Sequence, residues 1–334
     1  MLVLAGDIGG TNSRFALFRD ERRSPIFERT YPSAGYATFE LAVVAFLRDA
    51  GAALGGDAHP ARACLGVAGP VAGGASRVTN LPWFVDASRI AQQANIPEVT
   101  LVNDFQAAAY GVTLLGPEHL FPLGGGKRNP TGPVAVLGPG TGLGEAFLIW
   151  CHATQSYEVV PSEGGHADFA PRTPLEAGLL AYLAARYGRV SYERMLSGPG
   201  LRDLFSYLMT EPAYASLATS ETQAALDDDN ASAVIVRQAN SGRDPLCTLT
   251  VSLFASALGA LAGNLALTVL ATGGVFVAGG IAPRITDLLA SPFRQAFDAK
   301  GRLEGFLSKV PAFVVTHAEV GLLGAAALAV RGAR

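Results

Sequence analysis

Leu2–Phe18 reads LVLAGDIGGTNSRFALF: an apolar run, a glycine-rich turn and a second apolar run. The turn decides the fold. The GxxxxGK[ST] loop of nucleotide hydrolases and the GxGxxG of dinucleotide folds both lead from a strand into a helix. Here a second strand pattern, SRFALF, follows instead. Such a hairpin leaves bare backbone at Gly9 and Gly10, beside the Thr11 hydroxyl, and successive N–H groups in such a turn form an anion-binding nest. Gly6, Asp7 and Ile8 lead into it. Asp7 would repel a phosphate, so it either meets one through a metal or water, or is an ordinary turn residue.

The pattern recurs at Val134–Ile149, VAVLGPGTGLGEAFLI. Aligning Gly10-Thr11 on Gly140-Thr141 also aligns Ala16 on Ala146, which suggests a duplicated phosphate-gripping hairpin. Glycine-rich hairpin turns are common, and the pair alone does not establish one. Gly138, Gly140, Thr141 and Gly142 would be the second anion grip. Around both hairpins strands alternate with helices: TFELAVVAFLRDAG is helical by period, ACLGVAG and VTLVND are buried strands, and GPVAGG is a turn. That alternation predicts an α/β fold. The closing apolar helix, GLLGAAALAV, should dock on a neighbouring surface and return to the first domain.

The 334 residues allow one large domain or two ordinary ones, and 49% hydrophobic against 16% charged residues supplies ample core. A formal charge of −3 with no basic stripe argues against nucleic acid. Cys64, Cys151 and Cys247 are scattered, offer no zinc spacing and fit a reducing compartment. MLVLAGDIGG lacks the basic start of a signal peptide. Pro245–Ile281 carries no charge and could span a membrane by length. Its Gly-Gly breaks, its Asn264 and the lack of basic flanks predict a buried helix, about Leu246–Leu270, and then a strand at Val275–Ala278.

Three further stretches carry chemistry. In VTLVNDFQAAAYG (Val99–Gly111), Asn103 and Asp104 close a strand and open a helix. Ligands of open α/β sheets bind outside the carboxyl ends of strands. Asp104 there is a helix cap, a charge partner or a general base. In SEGGHADFAP, Glu163 and His166 flank a Gly-Gly turn and suit a polyol's vicinal hydroxyls better than a metal; a capped turn with an exposed histidine is the plainer alternative. Glu193, in SYERMLSG, reads by itself as a helix-surface glutamate. Gly279-Gly280, ending the strand in VAGGIAP, would let a flat ring lie on the backbone.

GDIGGTNSRFAL, TNLPW, VNDFQAAAYG, GPGTGLGEA, EGGHADFAP, YERMLSGPGL, AGNLAL and GGVFVAGGIAPR occur in one order. The set resembles the bacterial glucokinases of the hexokinase–actin–Hsp70-like ATPase superfamily over nearly the whole chain. The resemblance implies two ribonuclease-H-like α/β domains flanking a cleft, residues 1–110 with 318–334 and residues 111–317. It implies a cytoplasmic, homodimeric enzyme phosphorylating D-glucose with ATP and Mg²⁺, with no nucleic acid or membrane partner. Domain closure would exclude water.

By the same resemblance Asp104 is the base for the 6-hydroxyl, and Asn103, Glu163, His166 and Glu193 hold the other hydroxyls. The two Gly-Thr hairpins hold phosphates, Asp7 holds Mg²⁺ indirectly, and Gly279 and Gly280 meet the adenosine. The zinc motif of the related repressor/kinase family is missing after His166, so no structural zinc is expected. Other readings are a kinase for mannose or fructose, a sugar-responsive regulator without catalysis, and an actin-like filament or chaperone ATPase. The regulator should carry an added DNA-binding segment, for which MLVLAGDIGG leaves no room.

Overall fold

The computed structural model describes residues 1–19, 24–56, 58–78, 81–224 and 230–332. Thr79 and Asn80 of TNLPW lie outside the described residues. The chain forms two units, Met1–Leu115 with His317–Arg334, and Gly116–Thr316.

The first unit runs β1 (Leu2–Ile8), β2 (Asn12–Arg19), β3 (Phe27–Pro32), α1 (Phe39–Leu54), β4 (Arg62–Val67), β5 (Val71–Ala72), β6 (Ala75–Arg77), β7 (Phe84–Asp86), α2 (Ala87–Ala94), β8 (Glu98–Asn103) and α3 (Asp104–Gly111). Its main sheet has the order β3-β2-β1-β4-β8. The β1–β2 and β2–β3 pairs are antiparallel, and β1–β4 and β4–β8 parallel. Apolar residues run almost unbroken along β1 because both faces of the sheet are covered. Leu4 and Ile8 join the core with Phe39, Phe46 and Ile90 from α1 and α2, while Val3 and Ala5 pack with Ala107 of α3 and Leu322 and Ala325 near the C-terminus. The GPVAGG segment, expected as a turn, also builds a hairpin: β5 and β6 pair through Gly73 and Gly74, whose φ values of +58° and +74° suit glycine.

The second unit runs β9 (Leu120–Pro122), β10 (Val134–Pro139), β11 (Leu143–Cys151), β12 (Ser156–Ser162), α4 (Pro174–Tyr187), α5 (Tyr192–Met195), α6 (Gly198–Thr210), α7 (Ser220–Ala224), α8 (Ala231–Ser241), α9 (Pro245–Val269), β13 (Gly274–Val277), α10 (Thr286–Asp298), α11 (Glu304–Leu307) and β14 (Ala312–Val315). Its sheet has the order β12-β11-β10-β13-β14-β9. The first five strands repeat the first unit's plan: two antiparallel neighbours on one side of the leading strand, two parallel ones on the other. The two hairpins differ by one residue at the tip. Gly9–Asn12 separates the paired Ile8 and Ser13, whereas Gly140–Gly142 separates Pro139 and Leu143.

Helix α9 is long and apolar enough to cross a membrane. Its Leu246, Val251, Phe254, Leu258 and Leu261 are instead built into the core of the second unit. The last helix, α12 (Val320–Arg331), belongs to the first unit and lies on α3, β1 and β4. Two glycines set that approach. A Cβ at Gly324 would stand 2.7 Å from Gly111 N and overlap the Ala107 carbonyl, and one at Gly111 would overlap the Val320 backbone. Overpacking at such a contact costs about 1–3 kcal/mol. Gly324→Val should therefore lower the Tm by several degrees; a variant melting with the wild type would show that the helices do not need this approach.

Candidate active site

Ile8, Val67 and Asn103 are paired in register at the carboxyl ends of the parallel strands β1, β4 and β8. Asp104 follows there, at the first position of α3. The helix cap is Asn103: its Oδ1 accepts from Phe105 N at 2.9 Å and Gln106 N at 3.3 Å, and its Nδ2 donates to Gly69 O at 3.2 Å. Asp104 is thereby relieved of the capping that its residue type suggested. Its Oδ1 accepts from its neighbour Phe105 N at 2.7 Å, and the Asn103 side chain also favours its ionised form. Gly66 of β4 lets α3 come this close, since a Cβ there would lie 3.3 Å from Asp104 Cα.

Burial pushes the Asp104 carboxyl up to about 6; the Phe105 bond opposes this, and the charge of Asp7 adds to it. Asp7 is itself raised by burial, with Arg14 pulling it back. Two carboxylates thus share one corner of the first unit. Beside them the Gly9–Asn12 turn is fastened from outside. Ser33 Oγ donates to Gly9 O at 3.0 Å, Ser33 N to Thr11 O at 2.9 Å, and the Ser33 and Ser13 hydroxyls meet at 3.0 Å. Thr11 is left exposed at the tip, while Gly6 and Ile8 are strand residues in the sheet below it. Neither serine stood out in the sequence, because a buried serine carries no periodic signal.

In the second unit three segments converge. Glu193, read from sequence as a surface residue, is tied to the second hairpin: its Oε2 accepts from Leu143 N at 3.0 Å. Its Oε1 lies 3.7 Å from His166 Nδ1, and His166 Nε2 lies 3.9 Å from Glu163 Oε2. The imidazole therefore stands between two carboxylates, a set that can both accept and donate hydrogen bonds. Arg189 steadies this loop, donating to His166 O at 2.6 Å and pairing with Asp168 at 2.8 Å.

The hairpin tip joins a second feature. Gly198 N donates to Gly140 O at 2.8 Å, and Ser232 Oγ donates to Gly198 O at 2.6 Å. Gly279, at φ +85°, packs against the hairpin, where a Cβ would stand 2.5 Å from Pro139 O. Gly279 and Gly280 are exposed, as is Thr141, whereas Gly138 is buried in β10. Next to them opens a cavity of about 710 Å³ lined by Ser232, Arg237, Asn240, Ile281 and Arg284 among others. That volume suits a small organic ligand. Its polar lining comes mostly from α8, whose sequence shows only an ordinary amphipathic helix. Among the described residues, no cluster of three or more His, Cys, Asp or Glu could hold a metal ion by itself.

The family model for glucokinase matches residues 4–332. The chain belongs to the glucokinase family. It is 41% identical to the glucokinase of Trichormus variabilis over 99% of each chain. The crystal structure of glucokinase from an Antarctic psychrotroph, 34% identical, superposes with a TM-score of 0.84 over 99% of each chain. A ROK family glucokinase from Streptomyces griseus, solved with glucose and AMPPNP, shares the fold at 22% identity, with a TM-score of 0.66 over 99% of this chain and 100% of that one. The fold is that of the actin-like ATPases.

The raised Asp104 pKa has a consequence for stability. Unfolded, the carboxyl ionises near 3.8; folded, near 6. Its contribution is complete below the unfolded value and is lost as pH rises through the folded one. A neutral amide escapes that loss. Asp104→Asn should be more stable than the wild type by about 3 kcal/mol at pH 7.5, seen as a higher Tm, and the difference should vanish toward about pH 3. Equal melting at both pH values would show that the carboxyl is not strained by burial.

Proposed function

We propose that this chain transfers the γ-phosphoryl group of ATP to the 6-hydroxyl of D-glucose, with Asp104 as the general base. The observation that carries the assignment is the division of labour at the end of β8: Asn103 caps α3, and Asp104 keeps a carboxyl whose pKa of about 6 leaves it ionised at neutral pH. Asp104 takes the proton of the sugar's 6-hydroxyl as that oxygen bonds to the γ-phosphorus and ADP leaves. Base help of this kind is worth about 10²–10⁴ in rate.

The other roles follow from each group's chemistry. Glu163 and Glu193 accept from hydroxyls, and His166 between them can accept or donate. Asn103 has spent Oδ1 on the cap and one Nδ2 hydrogen on Gly69, so it offers the sugar its second amide hydrogen. The turns Gly9–Thr11 and Gly140–Gly142 offer backbone N–H groups to phosphate oxygens. Gly279, Gly280 and the cavity beside them, with Arg237 and Asn240, would take the nucleoside. Asp7, at the end of β1, would hold Mg²⁺ through water. When bound, Mg²⁺ neutralises phosphate charge. A cytoplasmic homodimer is the matching expectation for the assembled protein.

A coupled assay of ADP release tests the proposal. ADP should form only when glucose is present. Asp104→Asn should lower kcat by about 10²–10⁴ while glucose affinity stays within a few-fold of the wild type. Near-normal turnover by that variant would remove Asp104 as the base, and sugar-independent ADP release would remove the sugar kinase.

A further inference from the structure

Glu145 lies in the second hairpin strand, two residues past Leu143, and no step proposed above uses it. It is 3% exposed, and its Oε1 has no hydrogen-bond partner. A buried carboxyl left unsatisfied costs stability and calls for a physical reason.

Its surroundings supply one. In the sheet Glu145 pairs with Leu137 of β10 and Ser162 of β12. Ser162 Oγ accepts from Gly164 N at 3.0 Å. The Glu145 carboxyl sits directly beneath Gly164: a Cβ on that glycine would overlap Glu145 Oε2 and lie 3.0 Å from its Cδ. Gly165 rests in the same way on the Leu143 carbonyl. Residues 143 and 145 are therefore the floor of the turn that carries Glu163 and His166. Leu143 is in turn fixed by Glu193.

We propose that Glu145 is a positioning residue for sugar binding: as the neutral acid it supports the Gly164 turn from below and keeps Glu163 and His166 in register for the hydroxyls. Ionisation undoes the support. A carboxylate in that place needs donors, and the nearest it can recruit are the N–H groups of the turn itself or an entering water.

The groups facing this cluster set where the change falls. Burial raises the phenol of Tyr192 of α5 and the Glu145 charge adds a little, while Ala170, Asn264 and Arg172 before α4 lower it. Asn264 of α9 donates to the Tyr192 hydroxyl at 3.4 Å, and Lys300 donates to Asn264 Oδ1. Of these groups none offsets the burial of Glu145, which pushes its carboxyl up to about 7. Sugar affinity is thus coupled to a proton on a residue that does not touch the sugar.

The inference rests on the glucose reading above, so wild-type turnover at pH 6.5 is measured first. ADP release independent of glucose there would overturn both. With glucose-dependent turnover established, KM for glucose and kcat are measured from pH 6.5 to 9 for the wild type and Glu145→Gln. The wild-type KM should rise about fifteenfold between pH 7 and 8.5, as expected when only the acid form binds, with kcat unchanged. The Gln variant, neutral throughout, should hold its low KM across the range. A flat wild-type KM, or the same rise in the variant, overturns the role of Glu145 while leaving the kinase reading intact. Calorimetry on the wild type needs no variant to fold. At pH 8, glucose binding measured in two buffers of different ionisation enthalpy should take up close to one proton, and binding without proton uptake overturns the inference.

Discussion

Asn103 Oδ1 takes the N–H groups of Phe105 and Gln106, and the chemistry proposed for the first unit depends on that pair of bonds. The first turn of a helix presents donors that something must satisfy. Had Asp104 capped α3, its charge would have been spent on backbone. With the neutral amide in that position, the carboxylate stands one residue further on, half-buried. Its raised pKa follows from the same placement. The strain is modest, and it is stored in the carboxyl proposed above as the base.

The second unit meets a different constraint with the same topology. Its hairpin is not isolated. Glu193 anchors Leu143 and faces His166, Gly198 anchors Gly140, and Gly279 packs on Pro139. A displacement of the Gly140–Gly142 turn would therefore be felt by His166 and Glu193 and by the cavity beside Gly279 at once. Gly142, Gly164, Gly165 and Gly279 are glycine because backbone meets backbone or a carboxyl there, leaving no room for a Cβ, whereas Gly140 and Gly280 face open space. The same logic operates at Gly111 and Gly324, where α3 and α12 pack in the first unit.

Much of this was legible in the sequence, for identifiable reasons. A Gly-Thr turn between two apolar runs specifies a hairpin, and its recurrence pointed to two units of one plan. The burial of α9 could be read from Asn264 within it and the Gly-Gly pairs that follow it. The tip lengths, differing by one residue, could not, because the Gly-Thr alignment fixes only the second strand of each pair. Glu193 looked like a solvated charge because its partner, Leu143 N, lies 50 residues away in the chain. The exchange of roles between Asn103 and Asp104 was hidden for a different reason: both residue types cap helices well, and only backbone geometry decides between neighbours. Glu145 sat inside a quoted motif without being singled out. Nothing local shows that the turn at Gly164 folds over it.

The central claim is that Asn103 frees Asp104 to be a buried, ionisable base. It is tested most directly by titrating that carboxyl: the ¹³C resonance of the Asp104 side chain, assigned by its loss in Asp104→Asn, followed from pH 3 to 8 in the ligand-free protein. The account predicts a midpoint near 6. A midpoint near 4, the value of an ordinary exposed aspartate, would contradict it.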